Sequence, residues 1–505
     1  MMGSLEMLCG IAVIFLAIYY YLTSIYDFWK SRDIRGPKPI LIFGNYKDVI
    51  LNKKCEADYF KDIYDEYKDE SVIGIFTGVT PALIVKDLDL IKDILIKDFS
   101  KFGNKGPIVS NNTDLLSHNL AGLEHKRWRP LRIRLSPAFT AGKIKEMFPL
   151  ISECADYLEQ YIEKLVSKNE PIDCRELTAK YTTDVIGSCG FGIEMNALLD
   201  QDSEFRKIGK MIFLPTWSNI LRYRIKQIFP WLDKMLSYII PNIIQTEVNR
   251  FFVRFVTEIM NYRETNNVIR HDFIDILREI KKNSDKVGDI KVSENFIAAQ
   301  AFIFFFAGFE TSSTTMSNML YELALNQQIQ DKLREEINQE YTKHGSNLSY
   351  ENVKEMNYLD KVFKETLRKY PTVSYLIRQS TTSYTFGGST LDIPKNLQVF
   401  IPVFGIHRDP DIYPKPDVFD PERFNDEAIQ TRHPMHYLPF GDGPRNCIGA
   451  RFAIHQTKIG LIKILRNYKV EICDKTEIPY INDPKSILLL APKNGIHLRI
   501  IKIKL

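Results

Sequence analysis

One ten-residue stretch near the carboxyl end, Phe440-Gly441-Asp442-Gly443-Pro444-Arg445-Asn446-Cys447-Ile448-Gly449, constrains this chain more than any other. It sets a single cysteine between a glycine-rich turn and an apolar segment that reads as a helix (Ile448, Gly449, Phe452, Ala453, Ile454). A thiol so placed faces backbone N–H groups and a helix N-terminus, which stabilise its thiolate. Gly441, Gly443 and Gly449 keep side chains away from a place where a flat, bulky group must lie close to the backbone. Arg445 offers a fork of donors to a carboxylate. Most free cysteines are buried and structural; this one meets the requirements of a cysteine-ligated haem.

The stretch resembles the haem-binding signature of cytochrome P-450 monooxygenases, Phe-x-x-Gly-x-Arg-x-Cys-x-Gly, with Phe440, Gly443, Arg445, Cys447 and Gly449 at its fixed positions. The rest of the chain is compatible with one large catalytic domain. Its 505 residues contain no Gly/Ser linker, low-complexity tract or internal repeat. With 31 Phe and 25 Tyr it can fill a large core and line a cavity with aromatic rings. A net charge of +4 is too small at this length to argue for nucleic acid. The seven cysteines (Cys9, Cys55, Cys154, Cys174, Cys189, Cys447, Cys473) are scattered and form no Cys-x-x-Cys pair, which argues against a disulfide framework or zinc site and for a reducing compartment. Glycosylation sequons at Asn111 and Asn347 are then expected to be silent, because the acceptor enzyme is lumenal.

At the front, Met7 to Tyr26 is a run of 20 uncharged, mostly apolar residues, the length of a membrane-spanning helix. Tyr19, Tyr20, Tyr21 and Tyr26 suit its interfacial end. A cleaved signal peptide would want a basic residue before the run and small residues after it; here Glu6 precedes and tyrosines follow. Lys30, Arg32 and Arg35 come next, so the positive-inside rule places the body in the cytosol. Gly36-Pro37-Lys38-Pro39 makes a stiff break resembling the proline hinge of microsomal family members. The expected organisation is an anchor over 1–30, a basic, proline-containing hinge over 31–39 and a catalytic domain over 40–505.

Strands are expected at Val72–Phe76 and Ala82–Val85, near 380–403, and in a terminal hairpin of Ile487–Leu490 with Ile496–Ile500 around Pro492-Lys493-Asn494-Gly495. Helical patterns fill the middle, including Asp184–Phe191 and a long one from about Ser293 to Leu325. The fold class is therefore mainly α with small β-sheets, which the resemblance narrows to the cytochrome P-450 fold.

In the long helix, Ile303, Phe304, Ala307, Gly308 and Thr311 share a face on which the two small residues open a groove beside a hydroxyl. Ala307-Gly308-Phe309-Glu310-Thr311 matches the family's Ala-Gly-x-(Asp/Glu)-Thr. The resemblance implies that Thr311 and Glu310 relay protons and that Ala307 lies over the haem. Without it, the segment reads as helix packing at small residues with an exposed Glu. Glu365-Thr366-Leu367-Arg368, weak alone, ends in Tyr370-Pro371 and precedes Pro421-Glu422-Arg423-Phe424. These resemble the family's Glu-x-x-Arg helix and Pro-Glu-Arg-Phe segment, implying a buried network of Glu365, Arg368 and Arg423 that holds the cysteine loop. Asp275 and Arg278, at the same spacing, read as an ordinary solvated ion pair.

Trp128 and Arg132, at i and i+4, resemble the family's Trp-x-x-x-Arg helix, implying haem propionate contacts. Pro130 requires that helix to begin only two or three residues before it. Lys126, Arg127 and Arg129 form either a solvated basic face or, by resemblance, the docking face for an acidic flavoprotein reductase. Arg378 matches a third propionate arginine; Val373 and Leu376 before it, with Ile303, Phe304 and Ala307, are expected to line the substrate pocket. Phe440, Gly441, Gly449 and Arg445 complete the expected haem contacts. His407 reads equally as a propionate contact or a buried structural histidine. No His-Glu-x-x-His motif or dinucleotide-binding glycine fingerprint is evident, so reducing equivalents must come from another protein. Bulky residues among 205–250 (Phe213, Leu214, Trp217, Phe229, Pro230, Trp231, Leu232) read as core or as a second membrane contact over the substrate entrance.

Together these features resemble a microsomal cytochrome P-450, especially the xenobiotic-metabolising clan of insects. The resemblance implies haem b with Cys447 as axial ligand and oxygen insertion into apolar xenobiotics or endogenous lipids and hormones. It also implies electrons from NADPH through NADPH–cytochrome P-450 reductase, a possible cytochrome b5 partner, and an endoplasmic reticulum location. Reductase-independent rearrangement of oxygenated lipids, or non-catalytic binding of haem or sterol at a membrane, are the competing readings; the intact Glu310–Thr311 pair argues against both.

Overall fold

The computed structural model describes residues 2–106, 116, 118–200, 203–213, 217–229, 232, 235, 243–283, 287–345, 348–387, 391–486 and 489–503. Asn111, Asn347, Leu214, Pro230 and Trp231 lie outside them. Among the described residues the long helices are α1 (Met2–Tyr26), α2 (Glu56–Glu66), α3 (His125–Leu135), α4 (Ala141–Val166), α5 (Cys174–Ile186), α6 (Glu204–Phe213) and α7 (Trp217–Ile228). They continue with α8 (Ile243–Thr265), α9 (Phe273–Lys282), α10 (Glu294–Leu325), α11 (Gln327–His344), α12 (Asn357–Lys369) and α13 (Ala450–Asn467). The strands are β1 (Val72–Thr77), β2 (Thr80–Val85), β3 (Ile172–Asp173), β4 (Leu376–Gln379), β5 (Tyr384–Thr385), β6 (Asp392–Ile393), β7 (Gln398–Ile401), β8 (Tyr468–Glu471) and β9 (His497–Lys502).

The body is built around α10. Its first half is apolar nearly all round, and the polar run Ser312–Asn318 that follows is largely buried too, as suits a helix enclosed by protein. Ser293 starts it by accepting from the Phe296 N–H. It is apolar enough to cross a membrane, yet most of it is buried, which marks it as a core helix. Threonines of α5 fasten it: Thr178 Oγ1 donates to Ser313 O at 3.0 Å and Thr182 Oγ1 to Phe309 O at 2.9 Å. From the other side Gln456 of α13 donates Nε2 to Gly308 O at 2.9 Å. The two hydroxyls and the Gln456 Nε2 are buried and paired, so they fix the register of three helices, while Gln456 Oε1 is buried without a partner. Three sheets accompany this body. One sheet has the order β1-β2-β7-β4, with β2 and β7 parallel; another has the order β3-β9-β8; β5 and β6 make a third.

The helix α1 meets protein only at its end. Its apolar side chains stand exposed, Phe15 and Leu16 by about two-thirds, and the 24-residue segment Cys9–Arg32 has the length and apolarity to cross a bilayer. The following segment is not a loose tether. Trp29 is buried, donates Nε1 to Ile75 O at 2.9 Å and lies where any side chain at Gly74 would stand. Gly74 N–H in turn bonds Arg35 O at 2.9 Å, and Asn45 Nδ2 bonds Pro37 O at 2.9 Å.

Four local expectations change. β9 pairs with β8 and β3, with Ile501 opposite Lys469 and Leu498 opposite Ile172, not with Leu489 or Leu490; Ile487 and Leu488 of the expected hairpin lie outside the described residues. Ile496, Leu498 and Ile500 bury against the helical core, while Leu490 joins Cys55, Ala57 and Phe404, so two segments that look like hairpin partners face different cores. The Pro492–Gly495 turn closes instead on Asn482 and Ile481. Helix α5 ends at Ile186, and Gly187–Phe191 is one π-helical turn stopped by Gly192 at φ +63°. Helix α3 begins at His125, five residues before Pro130, so Pro130 stands inside the helix, where it removes the bond its N–H would have made to Lys126 O and crowds that carbonyl. Asp275 and Arg278 are not a solvated pair. Asp275 also takes Arg263 Nη1 at 3.0 Å, and Arg263, 2% exposed, forks onto Asp272 at 2.6 and 2.7 Å.

Candidate active site

The cysteine loop is shaped by its glycines. Gly441 and Gly443 have φ of +65° and +72°, a region that costs an L-residue about 1–2 kcal/mol. A Cβ at Gly443 would also stand 1.9 Å from Leu95 O, on backbone that cannot yield. The loop closes when Cys447 N–H donates to Phe440 O at 2.9 Å, and Gly449 ends it as the N-cap of α13. Gly443→Ala should therefore fold poorly around the loop. The expected outcome is a lower thermal midpoint with a disproportionate loss of haem per protein, read by pyridine haemochrome assay against total protein.

Cys447 has open space in front of its side chain, and yet enough protein surrounds it for burial to raise its pKa. Both hold when a group faces an internal hollow; exposure to bulk water would leave its pKa near normal. Burial is opposed by the Gly449 N–H and by the charges of Arg132 and Lys105, which favour the thiolate. Ala307 is exposed midway along the buried helix α10, and Thr311, one turn on, is partly so. Gln456 holds Gly308 to α13, and Phe304 approaches Phe452 at 6.5 Å between ring centres, so this part of α10 lies beside the helix that starts at the cysteine loop.

Around the hollow stand four cations, and among the described residues no carboxylate is ion-paired with any of them. Arg445 is buried, donates Nη2 to Leu123 O at 2.6 Å and lies 4.5 Å over the Trp128 ring, but its Nε and Nη1 have no partner. Arg378, 2% exposed, donates Nη1 to Ile377 O at 2.9 Å and leaves Nε unpaired. Burial and mutual repulsion push Arg445 down to about 9, and burial pushes Arg378 down to about 10. Lys105, which the sequence did not single out, is pushed down to about 7 by burial and then by Arg378 and Arg445. Arg132 turns both terminal nitrogens to Asn446, at 3.1 and 3.0 Å. Buried guanidinium N–H groups without acceptors cost free energy that a folded chain rarely tolerates for nothing. A group bearing carboxylates beside an iron bound by sulfur fits this donor set: it would satisfy the orphaned donors and restore the charge balance.

Behind the loop, Glu365 and Arg368 are wholly buried and paired through two bonds of 2.7 and 2.8 Å. Asp420 N–H adds to Glu365 at 2.9 Å, and Arg423 Nε stands 3.5 Å from it. Arg368 also donates to His407 O and Pro416 O. His407 belongs to this network: its Nε2 accepts from Leu438 N–H at 2.9 Å, and burial with the Arg368 charge pushes it down to about 3, so it stays neutral. Leu438 O takes the Gly441 N–H at 3.0 Å, which connects the ion pair to the cysteine loop.

The other expected residues divide. Leu376 lies 3.6 Å from where a Gly441 side chain would be, and Val373 is exposed between buried Thr372 and Ser374. Ile303 is partly open, whereas Phe304 stacks on Phe273 at 4.3 Å and abuts Gly190. Gly308 does not open a groove; a Cβ there would meet Ile186 at 2.2 Å. Thr311 Oγ1 donates to Ala307 O at 2.7 Å. Glu310 is buried, not exposed, and binds Arg175 Nη2 at 2.5 Å, so the structure does not bring Glu310 and Thr311 together. Arg175, Gln456 and the Thr178/Thr182 ladder had no signal in the sequence beyond polar residues spaced four apart on an apolar helix.

Residues 34–499 match the family model for cytochrome P450. The chain is 40% identical over 496 residues to a probable cytochrome P450 6a13 of Drosophila melanogaster, covering 98% of both chains. It is 39% identical over 491 residues to cytochrome P450 6A1 of Musca domestica, covering 96% of this chain and 95% of that one. It is 37% identical over 508 residues to cytochrome P450 6B1 of Papilio polyxenes, covering 99% and 100%.

Proposed function

The chain belongs to the cytochrome P450 family of haem-thiolate monooxygenases, and on that footing we propose that Cys447 holds the haem iron and that the enzyme oxidises apolar xenobiotics. The observation that carries the assignment is the thiol facing a hollow ringed by Arg445, Arg378, Arg132 and Lys105, of which the buried Arg445 and Arg378 keep unsatisfied donors. Arg445 and Arg378 would hold the propionates, and pairing with the same group would favour the charged form of Lys105; Trp128 buttresses Arg445. Arg132 would serve either a propionate or, as it stands, the Asn446 backbone.

When bound, the haem supplies dioxygen activation, driven by two electrons delivered from NADPH through a reductase. The chain's share is binding, orientation and proton traffic. Ile303, Ala307, Val373 and Leu376 would exclude water and position an apolar molecule. Thr311 would deliver protons at its Oγ1 by exchanging its bond to Ala307 O for one to a water. Glu310 is held by Arg175, so joining that relay would require it to exchange that bond. Glu365, Arg368 and Arg423 hold the loop and take no part in the chemistry.

The apolar helix α1 would anchor the protein in the endoplasmic reticulum, with Lys30, Arg32 and Arg35 keeping the body on the cytosolic side, residues 31–39 as the hinge and 40–505 as the catalytic domain. Lys126 and Arg129 are exposed on α3, next to Trp128 and Arg132, which suits docking of NADPH–cytochrome P450 reductase and cytochrome b5 close to the cysteine side. Reversing both charges (Lys126→Glu with Arg129→Glu) should raise the reductase concentration for half-maximal rate about tenfold at low salt, and less at high salt, because such charges steer association. An unchanged value would place the reductase elsewhere.

The reaction class is tested by turnover under isotopically labelled dioxygen with reductase and NADPH, across a panel of plant toxins, insecticides, terpenes, steroids and fatty acids. One labelled oxygen atom per product and strict NADPH dependence are expected. Product formed without NADPH would support rearrangement of an oxygenated lipid instead.

A further inference from the structure

The turn of α10 that carries Thr311 has two features that weaken a helix. Gly308 stands inside it, where close packing on Ile186 leaves no room for a Cβ, and glycine loosens a helix interior more than any residue but proline. Thr311 Oγ1 bonds back to Ala307 O at 2.7 Å and Thr315 Oγ1 to Thr311 O at 2.8 Å, contacts of a kind that bend helices. Yet α10 runs unbroken through this turn. A proton donor must stand within hydrogen-bond reach of its target, so a turn that carries one has to be held.

One side chain from another helix spans it. Gln456 of α13, wholly buried, donates Nε2 to Gly308 O at 2.9 Å and to Ser312 Oγ. Gly308 and Ser312 are four residues apart, so one carboxamide, with its two hydrogens on a single nitrogen, closes over both ends of the turn around Thr311. Packing alone does not explain an amide here. Gln456 Oε1 is buried with no partner among the described residues, a cost that an apolar side chain of the same length would not incur. The backbone at this position is fixed separately, by the Tyr181 hydroxyl donating to Gln456 O at 3.0 Å. Helix α13 starts at the cysteine loop, with Gly449 as its N-cap, and Gln456 follows Cys447 by nine residues. The amide thus ties the turn bearing Thr311 to the helix whose start positions the thiol.

We propose that Gln456 is a positioning residue for proton delivery: by clamping Gly308 and Ser312 it fixes Thr311 Oγ1 relative to Cys447, and so decides how much of the electron flow ends in product. This rests on reading Thr311 as the proton-delivering hydroxyl of a monooxygenase. In productive turnover one O2, two electrons and two protons place one oxygen atom in product and one in water. When the protons are misplaced, the same O2, electrons and protons leave together as hydrogen peroxide. The test uses full-length, haem-loaded protein and two separate variants. Gln456→Met keeps the length and removes both donated hydrogens, and Ser312→Ala frees one end of the clamp. The probe substrate is 7-ethoxycoumarin.

With reductase and NADPH, the ratio of hydrogen peroxide released to 7-hydroxycoumarin formed should rise about threefold or more in Gln456→Met, and by less in Ser312→Ala. Haem content and the 4-phenylimidazole Kd should stay within about twofold of wild type. So should product formation driven by iodosylbenzene, which hands over one oxygen atom, leaves as iodobenzene and consumes no proton. Amide exchange over 308–316 should quicken while that over 294–303 does not. Faster exchange with an unchanged peroxide ratio would overturn the proposal by showing that proton delivery does not depend on a fixed turn. An iodosylbenzene rate that falls in step with NADPH-driven product would overturn it by making Gln456 a general support of the site. Unchanged exchange in both variants would overturn it by showing that Gln456 does not hold the turn. The exchange readout needs no haem, so a wild-type protein that bound none would sink the functional reading while the clamp was still decided.

Discussion

Replacing Cys447 with serine is expected to abolish monooxygenase turnover while leaving the protein folded. Its side chain faces open space, so an oxygen in place of sulfur loses little packing, and the stability change should stay within about 1 kcal/mol. The chemistry has no substitute among the other cysteines. Burial raises Cys55 and Cys154 to about 12 and lifts Cys174 and Cys189 still further, and no cation opposes burial at any of the four. Cys473 is tied up with Thr476 and the His497 carbonyl, and the exposed Cys9 lies far off on α1. Cys447 alone among them combines access, a helix N-terminus behind it and positive charge at Arg132 and Lys105. A serine hydroxyl cannot push electron density onto iron as a thiolate does. Cys154→Ser is the control and should behave as wild type. Turnover with NADPH and reductase, alongside far-ultraviolet circular dichroism, separates loss of chemistry from loss of fold.

Glu365→Gln is expected to do the opposite, damaging the fold first and the haem site as a result. Glu365 and Arg368 are both fully enclosed, and removing one charge strands the other where water cannot reach it. Breaking such a pair costs about 3–5 kcal/mol, a large part of a typical protein's stability. Arg368→Lys should fare little better. The guanidinium serves both Glu365 oxygens and the carbonyls of His407 and Pro416, a set that three donors on one ammonium cannot span. The damage should reach the cysteine loop through His407, Leu438 and Gly441. The expected result is a lower denaturation midpoint, poor haem retention and, in whatever haem-loaded fraction survives, near-normal ligand affinity. Normal haem content with altered ligand affinity would mean that Glu365 acts in the site itself.

How much of this was legible in the sequence depended on whether a feature is local. The cysteine loop was, because its glycines and arginine are fixed by backbone geometry within ten residues. The helix α10 was, because its length and apolarity admit few other outcomes. The partners of its polar groups were not. Glu310 read as exposed, since nothing in the chain says that Arg175, 135 residues earlier, will meet it. Asp275 and Arg278 read as a surface pair because Arg263 was not seen to be buried between two carboxylates. Lys105 had no motif; its meaning comes only from the arginines that tertiary folding gathers round it. The terminal hairpin failed for a related reason: strand propensity identified β9, but which core its apolar face would join decided its partner.

The most direct test of the central claim, that Cys447 presents a thiolate to a haem iron, is the difference spectrum of the purified, reduced protein with carbon monoxide. Wild type should give the strongly red-shifted Soret band of a thiolate-ligated haem, and Cys447→Ser should lose it while Cys154→Ser keeps it. A Soret band at the position of a histidine-ligated haem in wild type, or a red-shifted band that survives in Cys447→Ser, would contradict the account.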